Sequence, residues 1–154
     1  MIRMTRLTDY GIVLLSRMAH QAEEVHNARD LAVDSHLPLP TVNKVLKMLT
    51  RKGLLHSHRG AKGGYILARR PDEISVAQVI DATEGPVGLT ECTGSLPGVC
   101  QQEGACPVQG NWERINRVVR DALQRVSLLE MSRPSPTGAS LAHLRGPGDQ
   151  AACS

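Results

Sequence analysis

The fold is decided by residues 39–68, which read LPTVNKVLKMLTRKGLLHSHRGAKGGYILA. In the first half, apolar residues recur at helical spacing, which predicts a helix from Pro40 to about Lys52 that Gly53 ends. The second half has two short runs of strand-forming residues around a basic, glycine-rich turn from Arg59 to Gly64, which predicts a hairpin. A helix followed directly by a basic hairpin is therefore the centre of the predicted fold.

Two further helices are predicted upstream of this stretch. The first covers residues 8 to about 22 with Thr8 as its N-cap, and the second covers Ala28 to Ser35 with Asn27 as its N-cap. Because only a short Leu-Pro-Leu-Pro turn separates the second helix from the third, the pair forms a helix-turn-helix. With the hairpin as a wing, this predicts a mainly α-helical winged helix-turn-helix, completed by a short helix from Ser75 to Glu84.

The charge distribution points to a surface that binds phosphate groups. No Asp or Glu occurs between Ser35 and Pro71, although the whole chain has a net charge of only +3. An acid-free basic block within an ordinary apolar pattern is typical of nucleic-acid binding, and the alternative is a solvated surface patch. The basic side chains of this block are Lys44, Lys47, Arg51, Lys52, Arg59, Lys62, Arg69 and Arg70, with His36, His56 and His58.

The composition limits the other classes of protein. Among 154 residues, 41% are hydrophobic but only 2% are aromatic, so the core must be built from aliphatic side chains, which favours helices. No apolar run approaches the roughly 20 residues of a membrane span, and the N-terminus lacks a secretory signal, so we expect a cytoplasmic protein. No nucleophile–base pair, phosphate loop or carboxylate pair is evident, so we expect no enzyme.

Three cysteines, Cys92, Cys100 and Cys106, occur in a Gly- and Pro-rich segment, residues 85–107, that is predicted to be a long loop. Their C-x7-C-x5-C spacing is more open than that of a zinc knuckle. Clustered thiolates in a reducing compartment indicate a soft-metal site. Zinc binding, a thiol redox switch and, least attractive in a polar loop, three inert cysteines remain as alternatives.

Downstream, one long helix is predicted over residues 108–132, and Pro, Gly, Ser and Ala then dominate a predicted disordered tail, residues 133–154, which carries Cys153. The helix has an apolar seam that could pack on the chain's own core or, as we prefer, form a dimer contact, because small DNA-binding proteins usually act as symmetric pairs. The predicted organisation is thus a DNA-binding domain over 1–84, a cysteine loop over 85–107, and this helix and tail. The seam consists of Trp112, Ile115, Val119, Ala122, Val126 and Leu129.

In combination, several of these motifs resemble the Rrf2 family of winged-helix transcriptional regulators, over roughly residues 1–132. That family includes the iron–sulfur regulators IscR, NsrR and RirA, and the segment around the cysteines is most similar to its regulators of SUF-type cluster assembly. The motifs that carry the resemblance are RLTDYG at 6–11, LPTVNKVL at 39–46, GLL at 53–55, RGAKGGY at 59–65, ISVAQVI at 74–80 and CPVQGNW at 106–112.

The resemblance implies an iron–sulfur cluster, 2Fe-2S or 4Fe-4S, held by Cys92, Cys100 and Cys106. Some relatives use a histidine three residues after the last cysteine as the fourth ligand, but that position is Gln109 here, so the histidine cannot be carried over. Other relatives use an aspartate of the partner subunit's first helix, and Asp9 matches it. The alternative for Asp9 is a favourable interaction with the helix dipole.

For DNA, the third helix would enter the major groove, where Asn43 could bind an adenine edge and lysines could bind guanine or phosphate. The wing Arg59 matches a minor-groove reader of relatives, and Arg51, Lys52 and Lys62 would neutralise phosphates. The resemblance therefore implies a homodimeric repressor of iron–sulfur assembly genes that binds double-stranded operator DNA. The predicted DNA-binding residues are Thr41, Asn43, Lys44, Lys47, Arg51, Lys52, Arg59, Gly60, Lys62, Gly63 and Tyr65.

Overall fold

The computed structural model describes residues 3–60, 62–93 and 105–134. It confirms a mainly helical chain with one small antiparallel sheet. Short 3₁₀ turns cover Pro71–Glu73 and Glu91–Thr93. In chain order, the helices and strands are α1 (Arg6–Ala19), α2 (Ala28–Ser35), α3 (Leu39–Arg51), β1 (Leu55–His58), β2 (Gly64–Leu67), α4 (Val76–Thr83), α5 (Gln109–Arg125) and α6 (Leu128–Ser132).

The core lies where α1, α3 and α4 pack against one another. It is built from aliphatic side chains, as the scarcity of aromatic residues predicts. Within α1 and α3, its buried members stand three and four positions apart, with Leu55 of β1 and Ile74 added from outside the helices. The largest contributions from α1 and α3 are Leu14, Leu15, Met18, Val42, Val45, Leu46 and Leu49.

The helix-turn-helix is confirmed as α2 and α3. The Asn27 side chain caps α2 by accepting a hydrogen bond from the Asp30 N–H, at 2.8 Å. His36 ends α2 in the left-handed conformation, with φ of 54°, which turns the chain sharply toward α3. Pro40 lies in the first turn of α3, where its missing N–H costs nothing. Gly53 follows α3 with φ of +73°, so the predicted glycine stop is confirmed.

The wing is an antiparallel pair in which Leu55 lies opposite Leu67 and His58 opposite Gly64. A third segment joins it, because His26 and Tyr65 exchange backbone hydrogen bonds of 2.8 Å in each direction. This bridge, which the sequence did not predict, ties β2 of the wing to the loop that precedes α2.

The first helix begins earlier than predicted. Thr5, not Thr8, is the N-cap of α1, and its side chain accepts from the Thr8 N–H. Thr8 is instead fully buried, and its hydroxyl lies 2.7 Å from that of Thr83. The Glu84 carboxylate accepts hydrogen bonds from the Thr8 hydroxyl and, at 2.8 Å, from the Thr5 N–H. The start of α1 is thereby joined to the end of α4.

The prediction of one long helix over residues 108–132 is wrong, because α5 ends at Arg125 and α6 begins at Leu128. At the break, the Val76 N–H donates to the Val126 carbonyl at 2.9 Å, and the Leu128 N–H donates to the Ile74 carbonyl at 2.7 Å. Ser127 then caps α6, and Leu128 is buried against the core. The short helix α6 therefore packs on α1 and belongs to the winged-helix core.

Within the described residues, no helix combines the length and the apolar character that crossing a membrane would require.

Candidate nucleic-acid interface and cysteine segment

Helix α3 presents a basic face opposite its buried one. Val42, Val45, Leu46 and Leu49 are fully buried, whereas Lys44, Lys47, Arg51 and Lys52, which follows the helix, are exposed. Asn43, Lys47 and Arg51 follow one another at intervals of four residues, so they form a single stripe along the helix. Within the described part of the chain, none of these basic side chains has an acidic partner.

A groove of about 620 Å³ separates α3 from the wing. Lys47 and Arg51 line one wall, and Arg59 and Tyr65 line the other. The structure thus brings five of the predicted DNA-binding residues to one cleft, because Gly63 lines it as well. The groove also includes His58, from the predicted basic block, together with Ala28, Thr50, Ser57 and Gly64.

Two glycines allow the tight approach of chains in the wing. A Cβ on Gly63 would lie 2.7 Å from the His58 carbonyl oxygen, and one on Gly64 would overlap the His26 carbonyl oxygen. These positions therefore exclude larger side chains, whereas Gly60, with φ of +114°, needs glycine for its backbone conformation. The shape of the basic turn depends on all three glycines.

The other predicted DNA-binding residues lie outside the lining of this groove. Asn43 lines a second cleft with Leu39 and the first residues of α2, where Arg29 is a further exposed cation. Thr41 is half-buried, and Lys44, Lys52 and Lys62 are exposed. The basic residues thus extend from the start of α2 across α3 to the wing.

The segment from Pro86 to Thr93 runs along α5. Val87 shares a small cavity with Arg120 and Gln124, whereas Leu89 contacts Asn116, one turn nearer the start of the helix. The Glu91–Thr93 turn, which carries Cys92, also packs on α5. Residues 86–89 therefore run antiparallel to α5, toward the start of the helix, which lies three residues after Cys106.

Of the predicted cysteine ligands, Cys106 is half-buried and has a free thiol. Its backbone carbonyl accepts a hydrogen bond from the Gln109 N–H at 3.3 Å. The backbone of Cys92 is described, but its side chain, Cys100 and Cys153 lie outside the described residues. The part of the chain that is described has no cluster of three His, Cys, Asp or Glu side chains able to hold a metal ion. The three-cysteine site consequently stays a prediction.

Asp9 lies exposed in the first turn of α1. Its backbone N–H donates to the Thr5 carbonyl at 3.2 Å, so its position depends on the cap of α1 and on the Glu84 network. Desolvation raises the pKa of the Glu84 carboxyl, but hydrogen bonds from Thr8 and Thr5 outweigh it and hold the pKa below its ordinary value of 4.5.

Helix α5 has no fully buried residue in the described chain. From the predicted seam, Trp112 and Ile115 are 39% and 42% exposed, and the adjacent Val118 is 63% exposed. Val119 and Val126 are half-buried, and Ala122 is exposed. An exposed apolar helix face of this kind is typical of a surface that contacts another protein chain.

The chain combines a helix-turn-helix, a basic hairpin wing and an exposed basic face on α3. This combination defines the class of winged-helix DNA-binding regulators of transcription. Residues 4–134 match the model of the Rrf2 family, described as "Iron-dependent Transcriptional regulator", and the chain belongs to this family.

Individual relatives agree with this assignment. The chain is 28% identical over 131 residues to the transcriptional regulator IscR of Pectobacterium atrosepticum, which covers 84% of this chain and 79% of that one. Among solved structures, it is similar to CymR, the global cysteine regulator of B. subtilis, with 25% identity and a TM-score of 0.66 over 86% of this chain and 97% of that one. It is also similar to T. potens IscR, with 26% identity and a TM-score of 0.61 over 84% and 85%.

Proposed function

We propose that this protein is a homodimeric transcriptional repressor that senses iron–sulfur cluster status and controls SUF-type assembly genes. The observation that supports the proposal is the course of residues 86–93 along α5, the helix that begins three residues after Cys106: Leu89 contacts Asn116, and the turn that carries Cys92 packs on the same helix. In a family described as iron-dependent regulators, this arrangement supports a shared thiolate site.

The donor set suits the cofactor, because soft thiolate ligands match the iron–sulfide core. Cys92, Cys100 and Cys106 would hold the cluster, and Asp9 of a second subunit is our candidate for the fourth ligand. When bound by these side chains, the cluster would supply an iron- and oxidant-sensitive group, which iron starvation or oxidative stress removes. The residues of the chain would then convert that loss into a change of loop and dimer geometry.

In the DNA complex, we propose that α3 enters the major groove, where Thr41, Asn43, Lys44 and Lys47 face base edges or phosphates. The wing would contact the minor groove through Arg59, supported by Gly60, Gly63 and Tyr65. Arg51, Lys52 and Lys62 would neutralise phosphates and give affinity without sequence information. The exposed apolar face of α5 would pair the two subunits and so set the distance between their DNA-binding helices, α3 of each subunit.

A second candidate is a regulator whose cysteines bind zinc or undergo thiol oxidation without a cluster. The similarity to CymR, a cysteine regulator, supports this second candidate. CymR matches the fold of this chain with a TM-score of 0.66, compared with 0.61 for T. potens IscR. The fold alone therefore does not select the chemistry of the cysteines.

The test is anaerobic purification and reconstitution with iron and sulfide, followed by visible absorption, metal analysis and native mass spectrometry. We expect a coloured protein with a bound cluster, whose type the mass identifies. A colourless protein with stoichiometric zinc would instead support the second candidate.

The role of Asp9 is tested separately with Asp9→Ala, which should lose its cluster faster on exposure to a chelator. Asp34→Ala is a matched control, because Asp34 is an exposed aspartate on α2. If the Asp9 variant retained its cluster as long as the control, Asp9 would not be a ligand. Its role would then be the favourable interaction of its carboxylate with the dipole of α1.

A further inference from the structure

The segment that leads into the cysteines is held by one side chain of α5. Asn116 donates from Nδ2 to the Val87 carbonyl at 3.1 Å and accepts at Oδ1 from the Leu89 N–H at 3.2 Å. The half-buried Asn116 amide therefore pairs with the backbone of a segment 27 to 29 residues away in sequence. Of the common side chains, only a primary amide offers a donor and an acceptor side by side in this way.

The link from Leu89 to Cys92 is short and internally bonded. The Thr93 N–H donates to the Thr90 carbonyl at 3.1 Å, and the Thr90 N–H donates to the Thr93 hydroxyl at 3.0 Å. These bonds close a compact turn over Glu91–Thr93, so the position of Leu89 determines that of the Cys92 backbone. At the other end, Cys106 is tied to the first turn of α5 through its carbonyl.

We propose that Asn116 is a positioning residue for the cysteine site, fixing the Cys92 backbone relative to Cys106 on the common frame of α5. The inference rests on the proposed thiolate site, but it concerns any soft metal bound there. Asn116 contacts no cysteine among the described residues and acts only through the backbone of Val87 and Leu89. Loss of its amide would release the segment and add an ordering cost to metal binding.

Cadmium titration of the metal-free chain tests this, because Cd²⁺ is a soft ion that reports thiolate binding by its charge-transfer absorption. Every variant is made with Cys153→Ser, so that the tail thiol does not contribute. Asn116→Ala should bind Cd²⁺ about tenfold more weakly, as expected for the loss of two modest hydrogen bonds. Asn116→Asp keeps the acceptor for the Leu89 N–H and should fall in between.

Arg117→Ala is the matched control, since Arg117 is the exposed neighbour of Asn116 on the same helix. Hydrogen exchange of residues 87–93 should accelerate in Asn116→Ala and stay unchanged in the control, while circular dichroism remains the same for all variants. Equal Cd²⁺ affinity of Asn116→Ala and Arg117→Ala would overturn the positioning role. The cluster proposal fails on a different result: wild-type protein that contains no iron after reconstitution. The Cd²⁺ titration can still show whether Asn116 positions the thiolates in that case.

Discussion

Arg59 is the first residue of the basic turn of the wing, and its exposed side chain lines the groove that Lys47 and Arg51 also line. Among the residues that the structure describes, no carboxylate forms an ion pair with this guanidinium, so its charge is available to a DNA phosphate or base. The three side chains come from two different elements, so their combined effect depends on how the wing is held against α3. The groove thus links DNA affinity to the geometry of the wing.

We expect Arg59→Ala to weaken operator binding about tenfold or more, because it removes one specific DNA contact. Cluster absorbance should be unchanged. Electrophoretic mobility shift or fluorescence anisotropy measures the effect, with Arg17→Ala as the control, since Arg17 is an exposed arginine at the far end of α1. Equal operator affinity in both variants would remove the wing from the proposed interface.

The Glu84 carboxylate should contribute to stability in a pH-dependent way. Its pKa is lowered in the folded chain, so its stabilising effect is present above about pH 4.5 and is lost as the pH falls through the folded-state value. Because Glu84 is exposed, we expect Glu84→Gln to cost less than about 1 kcal/mol at pH 7. Urea unfolding of both proteins at pH 7 and pH 3.5 should show a larger difference at the higher pH. An equal difference at the two pH values would contradict the role of the charge.

At the scale of elements, the helices and the hairpin follow from local sequence signals. Asn27 and Gly53 mark helix ends through capping chemistry that acts within a few residues, and the period of the apolar residues identifies the buried face of α3. The break between α5 and α6 also had a local signal, the Ser127-Leu128-Leu129-Glu130 capping box, but the apolar spacing continued across it.

Other features depend on contacts between distant parts of the chain. The bridge between His26 and Tyr65 forms only when the wing folds back on the loop before α2. The choice of Thr5 over Thr8 as the N-cap depends on Thr83 and Glu84, more than seventy residues away. Likewise, nothing local marks Asn116 as the partner of Val87 and Leu89.

Helix α6 should contribute to global stability, contrary to its predicted place in a separate dimerisation helix. Leu128→Ala removes a side chain that is 1% exposed, and we expect a loss of about 2–4 kcal/mol in the free energy of unfolding. Met131→Ala on the same helix should cost much less, because Met131 is 43% exposed. Chemical denaturation measures both. Similar losses for the two variants would contradict the packing of α6 on the core.

For the whole molecule, α5 connects the proposed sensing and reading parts. Its middle holds residues 87–89 through Asn116, and its end is bonded to residues 74–76 at the start of α4. Its apolar face is exposed. A change at the cysteine segment would therefore be expected to alter both the proposed dimer contact and the relative orientation of the two α3 helices.

We expect Ile115→Glu to convert the proposed dimer to monomer, because a charge in an apolar interface loses its solvation. Sedimentation velocity measures the change in mass. Val33→Glu serves as the control, since Val33 on α2 is 72% exposed and outside the α5 face. A dimer that survived Ile115→Glu would place the subunit contact elsewhere.

The most direct test of the coupling between cysteine site and DNA is the operator affinity of the same protein preparation with and without its cluster, measured anaerobically at one salt concentration. If the two are coupled, the dissociation constants should differ by about fivefold or more, the usual range for linked binding sites. In a Cys106→Ser variant, which cannot complete the site, that difference should disappear. Identical dissociation constants for the cluster-bound and cluster-free forms of the wild-type chain would contradict sensing by this site.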